Sequence, residues 1–336
     1  MTEDILDILQ FVKTHPTKTA ELLSQHLNIA RQSASRKLKG LVENNLIRLQ
    51  GKGRAVRYEL IENIDNFNFK LNEKLDEFLI LRETLIPKIK HLPKNIVEIL
   101  QYGFTEMFNN AVDHSCGNEI NVEIRTTPVS TFISIEDDGL GIFEKIQKAF
   151  DLVDIRQSIF ELSKGKLTTD SKNHSGEGIF FSSKIFDFFC ISSKGWAFVH
   201  NDDLIDIMYE HDIEYVKGTK VMLEISHLTN KTCKEVFDEF AMPDEFAFAK
   251  TVVPINLAKH EGEFLISRSQ AKRLVSRFEH FQIVLLDFTN VSTIGQGFAD
   301  QLFRVYQNEY PNIQLIPINT NKNVQDMIDR ILVVQK

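Results

Sequence analysis

The chain of 336 residues has only three cysteines, Cys116, Cys190 and Cys233, which lie far apart and form no CxxC pair. This excludes a disulfide framework and a clustered-cysteine zinc site, and fits a reducing compartment in which the thiols act as small buried hydrophobes. No apolar run approaches the roughly 20 residues that a membrane-spanning helix needs. The opening Thr2-Glu3-Asp4 lacks the basic region and apolar stretch of a secretory leader. The motif Gly-x-x-x-x-Gly-Lys-Ser/Thr is also missing, so no Walker loop is available for phosphates. These absences lead to the expectation of a cytoplasmic protein with no membrane partner. What is present is ordinary globular material, 43% hydrophobic and 26% charged, long enough for two or three separately cored domains.

The net charge of −8 is unevenly spread, because residues 1–60 carry +4 and the remainder −12. A basic end on an acidic chain points to a polyanion partner. Ile5, Leu6, Ile8, Leu9 and Val12 recur at helical spacing up to Pro16. Thr19 can cap a second helix over 20–27, and a third is expected over 30–43. Leu38, Leu41 and Val42 form the inner face of that third helix, while Gln32, Ser33, Arg36, Lys37 and Lys39 lie outside. Residues 47–60 alternate and fold back at Gly51-Lys52-Gly53, which predicts a two-stranded ribbon with a basic tip. Three short helices followed by a basic hairpin resemble a winged helix-turn-helix. The resemblance implies double-stranded DNA as partner, with the third helix in the major groove and the wing on the backbone. Gln32 and Arg36, with Ser33 beside them, would face base edges; Lys37, Lys39, Lys52, Arg54 and Arg57 would neutralise phosphates. The alternative is an interaction module whose polar face is simply solvated.

Residues 61–92 mix charges with Phe67, Phe69, Leu71, Leu75, Phe78, Leu81, Leu85 and Ile89. They read as a connecting helix that packs on a neighbour or pairs in a homodimer. His91-Leu92-Pro93 is similar to the phosphoacceptor motif of some histidine kinases. Such acceptors sit on a separate hairpin well upstream, whereas here Pro93 leads straight into the next helix, so His91 is not adopted as a phosphorylation site.

From Pro93 to about Ser115 the apolar pattern predicts one helix on which Glu106, Asn110 and Asp113 stand at i, i+4 and i+7. A polar cluster on an otherwise apolar helix suggests either a ligand cavity or an exposed stripe. Two alternating segments follow, 120–125 and 131–135, and the second runs into Asp137-Asp138-Gly139-Leu140-Gly141-Ile142. Then come Gly176-Glu177-Gly178 and Gly218-Thr219-Lys220-Val221. In this order the four motifs resemble the GHKL (Bergerat-fold) ATPases, which include gyrase subunits, Hsp90, MutL, histidine kinases and anti-sigma serine kinases.

The resemblance implies a Mg-ATP site. Asp137 would accept a hydrogen bond from the adenine amine, where guanine would present a second acceptor. Thr219 would share that contact. Gly139 and Gly141 would let the backbone come close to base and sugar, with Ile142 beside them. Gly176 and Gly178 precede an apolar helix over 179–186 whose free N–H groups can hold phosphates. Asn110 offers magnesium a neutral oxygen, and Glu106, one turn earlier, can orient or deprotonate the attacking group. Asp113 would order water near the base, and His114 caps or packs the helix end. Residues 143–174 match the family's mobile lid, with Lys164, Lys166 or Lys172 touching a phosphate or merely solvated.

In the last segment Ser267 can cap a helix over 270–278, 283–288 reads as a central strand, and a helix begins near Phe298. A further strand over 313–318 and a helix over 324–332 complete an alternating β/α unit. Leu286-Asp287-Phe288 and the stretch 291–297 resemble the STAS domain of anti-sigma-factor antagonists, which implies docking to the ATPase or a protein partner. The serine that those antagonists phosphorylate aligns with Gln296 or Gly297, so phosphorylation there is not expected.

The expected fold class is multidomain α+β and α/β. A winged helix (1–60) and connecting helix (61–92) precede a Bergerat sandwich with helices on one face of a mixed sheet (93–228), and a STAS-like α/β domain (245–336) follows. The expected function is a regulator that couples Mg-ATP binding, with weak hydrolysis, to DNA or partner binding. Its rivals are a serine kinase of the anti-sigma type and an ATP sensor that does not hydrolyse.

Overall fold

The computed structural model describes residues 3–51, 53–72, 75–168, 175–201, 204–210, 217–242, 248–259 and 264–333. The N-terminal unit comprises α1 (Glu3–Thr14), α2 (Thr19–His26), α3 (Arg31–Glu43) and a hairpin of β1 (Ile47–Gln50) with β2 (Arg57–Leu60). Leu9, Leu23, Ala34 and Leu38 are fully buried where the helical stripes meet. Thr19 does not cap α2. It is the first helical residue after Lys18, which is left-handed, and its hydroxyl donates to the His15 carbonyl at 2.7 Å. Pro16-Thr17 runs along β2, with Thr17 bridging Arg57 and the Tyr58 amide donating to Pro16 at 2.9 Å.

The central unit is built on β3 (Asn63–Lys70), α4 (Glu77–Thr84), α5 (Ile86–Ile89), α6 (Lys94–His114), β4 (Glu119–Thr126) and β5 (Ser130–Asp137). It continues with α7 (Ile142–Ala149), α8 (Ile155–Ser163), α9 (Gly178–Ile185), β6 (Phe188–Ser193), β7 (Trp196–Asn201), β8 (Leu204–Glu210), β9 (Lys220–Ser226) and α10 (Cys233–Phe240). The seven strands run in the order β3-β4-β5-β9-β6-β7-β8. The sheet was expected to be mixed, yet every pairing is antiparallel. The connecting helix over 61–92 is also corrected, because Asn63–Lys70 is a strand paired along its length with β4, and only Glu77–Thr84 and Ile86–Ile89 are helical. The physical reason is the period-2 alternation of Phe67, Phe69 and Leu71, which places the aromatic rings against the core of the same sheet.

Strands β5 and β9 turn Ile133, Ile135, Val221 and Leu223 toward α6, with Ile120 and Val122 of β4 on the same face. Their other face is polar: Arg125 lies over Phe132 and Lys220 pairs with Glu136 at 3.0 Å. Gly103 lets α6 meet the Phe186 ring, since a Cβ there would lie 2.3 Å from it. The β6–β7 turn has Lys194 at φ 48 and Gly195 at φ 80, the paired positive values of a two-residue type I′ hairpin.

The C-terminal unit has β10 (Lys250–Pro254), α11 (Arg268–Leu274), β11 (Ile283–Asp287), α12 (Gln296–Asp300), α13 (Gln307–Glu309), β12 (Gln314–Ile318) and α14 (Lys322–Val333). Its three strands are parallel in the order β10-β11-β12, so β11 is central. A π-helical segment, Gln301–Tyr306, joins α12 to α13. Ser267 does cap α11, in a reciprocal arrangement with Gln270, but that helix ends at Leu274 instead of 278. Strand β10 was not anticipated. One buried apolar cluster runs through the central and C-terminal units, whereas the N-terminal unit has its own, into which, among the described residues, Val129 of the β4–β5 turn inserts from the central unit. Among the described residues no helix is long and apolar enough to cross a membrane.

Candidate functional site

A cavity of about 290 Å³ opens beside the central sheet, at the low end of typical small-molecule sites. Its floor is Ile135 and Asp137 at the end of β5 with Thr219 and Val221 at the start of β9. One wall is α6, which contributes Glu106, Asn110 and His114; a second is Gly141, Ile142 and Lys145 at the start of α7. Leu162, Leu167 and Thr168 close the third side, and Ser175, Gly176 and Gly178 stand at the entrance to α9. Four separated segments singled out in the sequence thus meet around one space.

The floor is held by a dense hydrogen-bond set. Asp137 Oδ1 accepts from the Gly139 amide at 2.9 Å and the Thr219 amide at 3.3 Å. The Asp137 amide donates to the Thr219 carbonyl, and the Ile142 amide donates to Thr219 Oγ1, both at 2.9 Å. Burial pushes the Asp137 carboxyl above the ordinary carboxylate range, against the opposing pull of the Gly139 and Thr219 hydrogen bonds. Asp138 turns the other way and accepts from the Asn118 amide at 2.6 Å and the Glu119 amide at 3.0 Å, which holds its pKa down. Of the adjacent carboxylates, only Asp137 serves the cavity. Gly218 has to be glycine: its φ is +79, and a Cβ would lie 2.3 Å from the Asp137 carbonyl oxygen.

Glu106 and Gly178 are in close apposition, because a Cβ on Gly178 would meet Glu106 Oε2 at 2.0 Å. Tyr102, one turn before Glu106 on α6, has its phenol pKa raised by burial and then by the Glu106 charge. The Glu177 carboxyl is raised by burial. Lys145 Nζ reaches the His114 carbonyl at the C-terminal end of α6, 2.9 Å away, placing a cation in the cavity wall.

Several expectations are corrected. Asp113 is exposed and does not line the cavity; its place on the wall is taken by His114, one residue on. Gly139 is not in the wall either, and serves instead to dock α6, since a Cβ there would lie 2.0 Å from the Ser115 carbonyl oxygen. Residues 143–168 of the supposed lid are mostly packed helices, with Ile159, Phe160 and Leu162 buried. Lys164 is 0% exposed and pairs with Glu161 at 2.7 Å, so it is not a phosphate contact; burial lowers its pKa to about 8. Lys166 Nζ donates to the His280 carbonyl at 2.9 Å. Lys172 lies outside the described residues. Sequence reasoning missed Lys145, whose signal was its place three residues after Ile142 on one helical face.

On the N-terminal unit, Gln32, Arg36, Lys37 and Lys39 are exposed on one side of α3, with Ser33 half-buried. Lys39 pairs with Glu43 at 3.6 Å. Arg57 is committed within the ribbon, to Glu59 at 2.8 Å and Gln50 at 3.0 Å, which weakens its case as a phosphate contact. Lys52 and the side chain of Arg54 lie outside the described residues.

A family model described as a STAS-like domain of unknown function (DUF4325) matches residues 270–325. That match covers α11 to the start of α14, and the C-terminal unit is STAS-like. No curated protein matches the chain.

Proposed function

We propose that the central unit binds Mg-ATP and that occupancy of this site regulates DNA binding by the N-terminal unit. The observation that carries the reading is the convergence of Glu106, Asn110, Asp137, Gly141, Gly176, Gly178 and Thr219 on one cavity from four separate segments. The floor suits adenine, because the buried Asp137 carboxylate is an acceptor that lines the cavity and an exocyclic amine is a donor. A guanine oxygen at the same place would leave two acceptors opposed, at about 1–3 kcal/mol.

Asn110 would hold magnesium as one oxygen of a shell completed by phosphates and water. Among the described residues no group of three or more His, Cys, Asp or Glu side chains forms a metal site, so the ion would arrive with the nucleotide. The glycine-flanked start of α9 would bind phosphate through free amides. Glu106, beside Gly178, is the candidate base that would accept a proton from the attacking hydroxyl or water. The exposed Gln32, Arg36, Lys37 and Lys39 of α3, on the basic end of the chain, support the winged-helix reading and a DNA partner.

The test is calorimetry with Mg-ATP and Mg-GTP, followed by a salt-controlled titration of duplex DNA with and without ATP. Uptake of ATP but not GTP, together with an ATP-dependent shift in DNA affinity, is expected. No uptake of Mg-ATP by folded protein ends the reading, and an unchanged DNA affinity ends the regulatory half of it. Radiolabelled ATP tells hydrolysis from transfer: free phosphate alone supports an ATPase, labelled protein a serine kinase, and neither an ATP sensor.

A further inference from the structure

The end of α8 lies between the cavity and the STAS-like domain. On its cavity side Leu162, Leu167 and Thr168 form the wall. A Cβ on Gly176, at the entrance, would lie 2.7 Å from the Leu167 backbone, so the wall and the entrance loop are in direct contact. On its other side the last-turn carbonyls of α8 have no intrahelical partners. One side chain from the STAS-like domain reaches this end of the helix and the turn after it: Arg277 donates to the carbonyl of Glu161 in α8 at 3.3 Å, to those of Gly165 at 3.1 Å and Lys166 just beyond it, and to the Glu161 carboxylate at 3.3 Å.

Three more ties cross the same seam. Lys164 Nζ donates to the Ser276 carbonyl at 2.9 Å, Thr251 Oγ1 donates to the Lys164 carbonyl at 2.7 Å, and Lys166 reaches His280. Arg277 itself sits in the left-handed region, φ 66, which bends the chain after α11 so that the guanidinium faces α8. A bidentate planar cation suits this task, since one fork can hold several oxygens in fixed geometry where an ammonium holds them singly.

We infer that Arg277 is a positioning residue through which the STAS-like domain sets the outer wall of the nucleotide cavity, and so its affinity for Mg-ATP. This rests on the proposed reading of the cavity as a nucleotide site. The side chain acts through α8 and touches no nucleotide. By linkage, bound Mg-ATP strengthens the Arg277 contacts at the α8 seam by the same factor by which those contacts strengthen nucleotide binding.

The test uses the full chain. Arg277→Met leaves Glu161 and Lys164 as a balanced buried pair, which avoids stranding a charge. Val324→Ala, a core truncation on α14, serves as a control for general loosening of the same domain. Calorimetry with Mg-ATP is expected to show affinity about tenfold weaker for Arg277→Met, within the usual range of coupling between sites. Arg277→Lys, which keeps the charge but not the fork, falls between, and Val324→Ala binds like the parent even where its melting temperature drops as far. Parent-like affinity in a folded Arg277→Met overturns the inference, as does equal weakening by Val324→Ala. If Arg277→Met does not fold, parent-like affinity in Arg277→Lys overturns it. Absence of binding by the parent is a different result, and removes the nucleotide reading itself.

Discussion

Gly178→Ala separates stability from chemistry at the cavity mouth. Gly178 is the first residue of α9 and does not adopt a positive φ, so alanine meets no backbone strain there and gains helix propensity of up to about 1 kcal/mol. The new methyl would stand 2.0 Å from Glu106 Oε2, the far end of a flexible side chain, which has to retreat by about 1.4 Å to reach an ordinary contact near 3.4 Å. Turning that carboxylate costs about 0.5–1.5 kcal/mol if it leaves a rotamer well. The two terms nearly cancel, so the melting temperature is expected to move by only a few degrees. A displaced reacting group is another matter: misplacement by about 1 Å can cost about 100-fold in rate. On the proposed function, Gly178→Ala therefore releases phosphate about 100-fold more slowly while Mg-ATP affinity changes much less. Single-turnover phosphate release beside calorimetry reads both quantities. Parent-rate turnover in the variant refutes the claim that this contact positions Glu106 for chemistry.

Three further outcomes are expected. Asp137→Asn replaces the acceptor on the cavity floor with a group that also donates, and should abolish the calorimetric heat of Mg-ATP while leaving the melting temperature equal or higher, because burial already disfavours the charge; retained affinity would contradict the adenine assignment. Lys37→Ala should lower the slope of log affinity against log salt by about 0.9 on duplex DNA, as loss of one phosphate contact does, and an unchanged slope means that this side chain only faces solvent. His227 is held neutral, its pKa lowered by burial to about 4 from the ordinary 6.5, with Nε2 2.9 Å from Thr131 Oγ1 and Nδ1 facing the Pro128 carbonyl at 3.3 Å. The unfolded chain binds a proton near pH 6.5 and the folded chain only near pH 4, so acidification through that window costs up to about 3 kcal/mol of stability. Urea midpoints of the parent and His227→Gln at pH 7.5 and 4.5 check it: the parent's fall should exceed the variant's, and equal falls dispose of the idea.

The parts of this molecule that were legible in the sequence are those whose signal is local. Helix α6 announced itself by spacing, and the glycines near 139, 141, 176, 178 and 218 marked the turns that the cavity needs. Asp113 was misread because helical periodicity ranks faces without locating the wall. At about 100° per residue, Glu106 sits near one edge of the lining stripe formed with Met107, Asn110, Ala111 and His114, and Asp113 falls just beyond that edge. Strand β3 was misread because its Phe67 and Phe69 were counted with the helical residues that follow, although their spacing of two was visible. Lys164 was beyond reach. Its burial depends on Arg277 and Ser276, more than a hundred residues later, and no local pattern distinguishes a lysine destined for an interior ion pair from one on a loop.

Two elements touch the cavity with one end or face and a neighbouring unit with the other, and they differ in kind. Helix α8 meets the STAS-like domain through buried ions and through an apolar cluster without a break, in which the rings of Phe180 and Phe181 of α9 pack at a tilt against Phe248 ahead of β10. Such a seam cannot open without exposing core, so the STAS-like unit acts as a permanent part of the cavity's support. Strand β9 is flanked by Thr219 in the cavity floor and by His227, whose amide and ring hold the β4–β5 turn that inserts Val129 into the N-terminal unit. Glu224, midway along the same strand, pairs with Lys13 of α1 at 2.9 Å, an exposed contact of the sort worth under about 1 kcal/mol. That junction is small and partly polar, and can shift at modest cost. The weak joint lies toward the unit with the basic helix and the strong joint toward the STAS-like domain. This asymmetry is what the proposed regulator needs if the cavity's state is to alter the placement of the α3 face proposed to meet DNA while the cavity itself stays built.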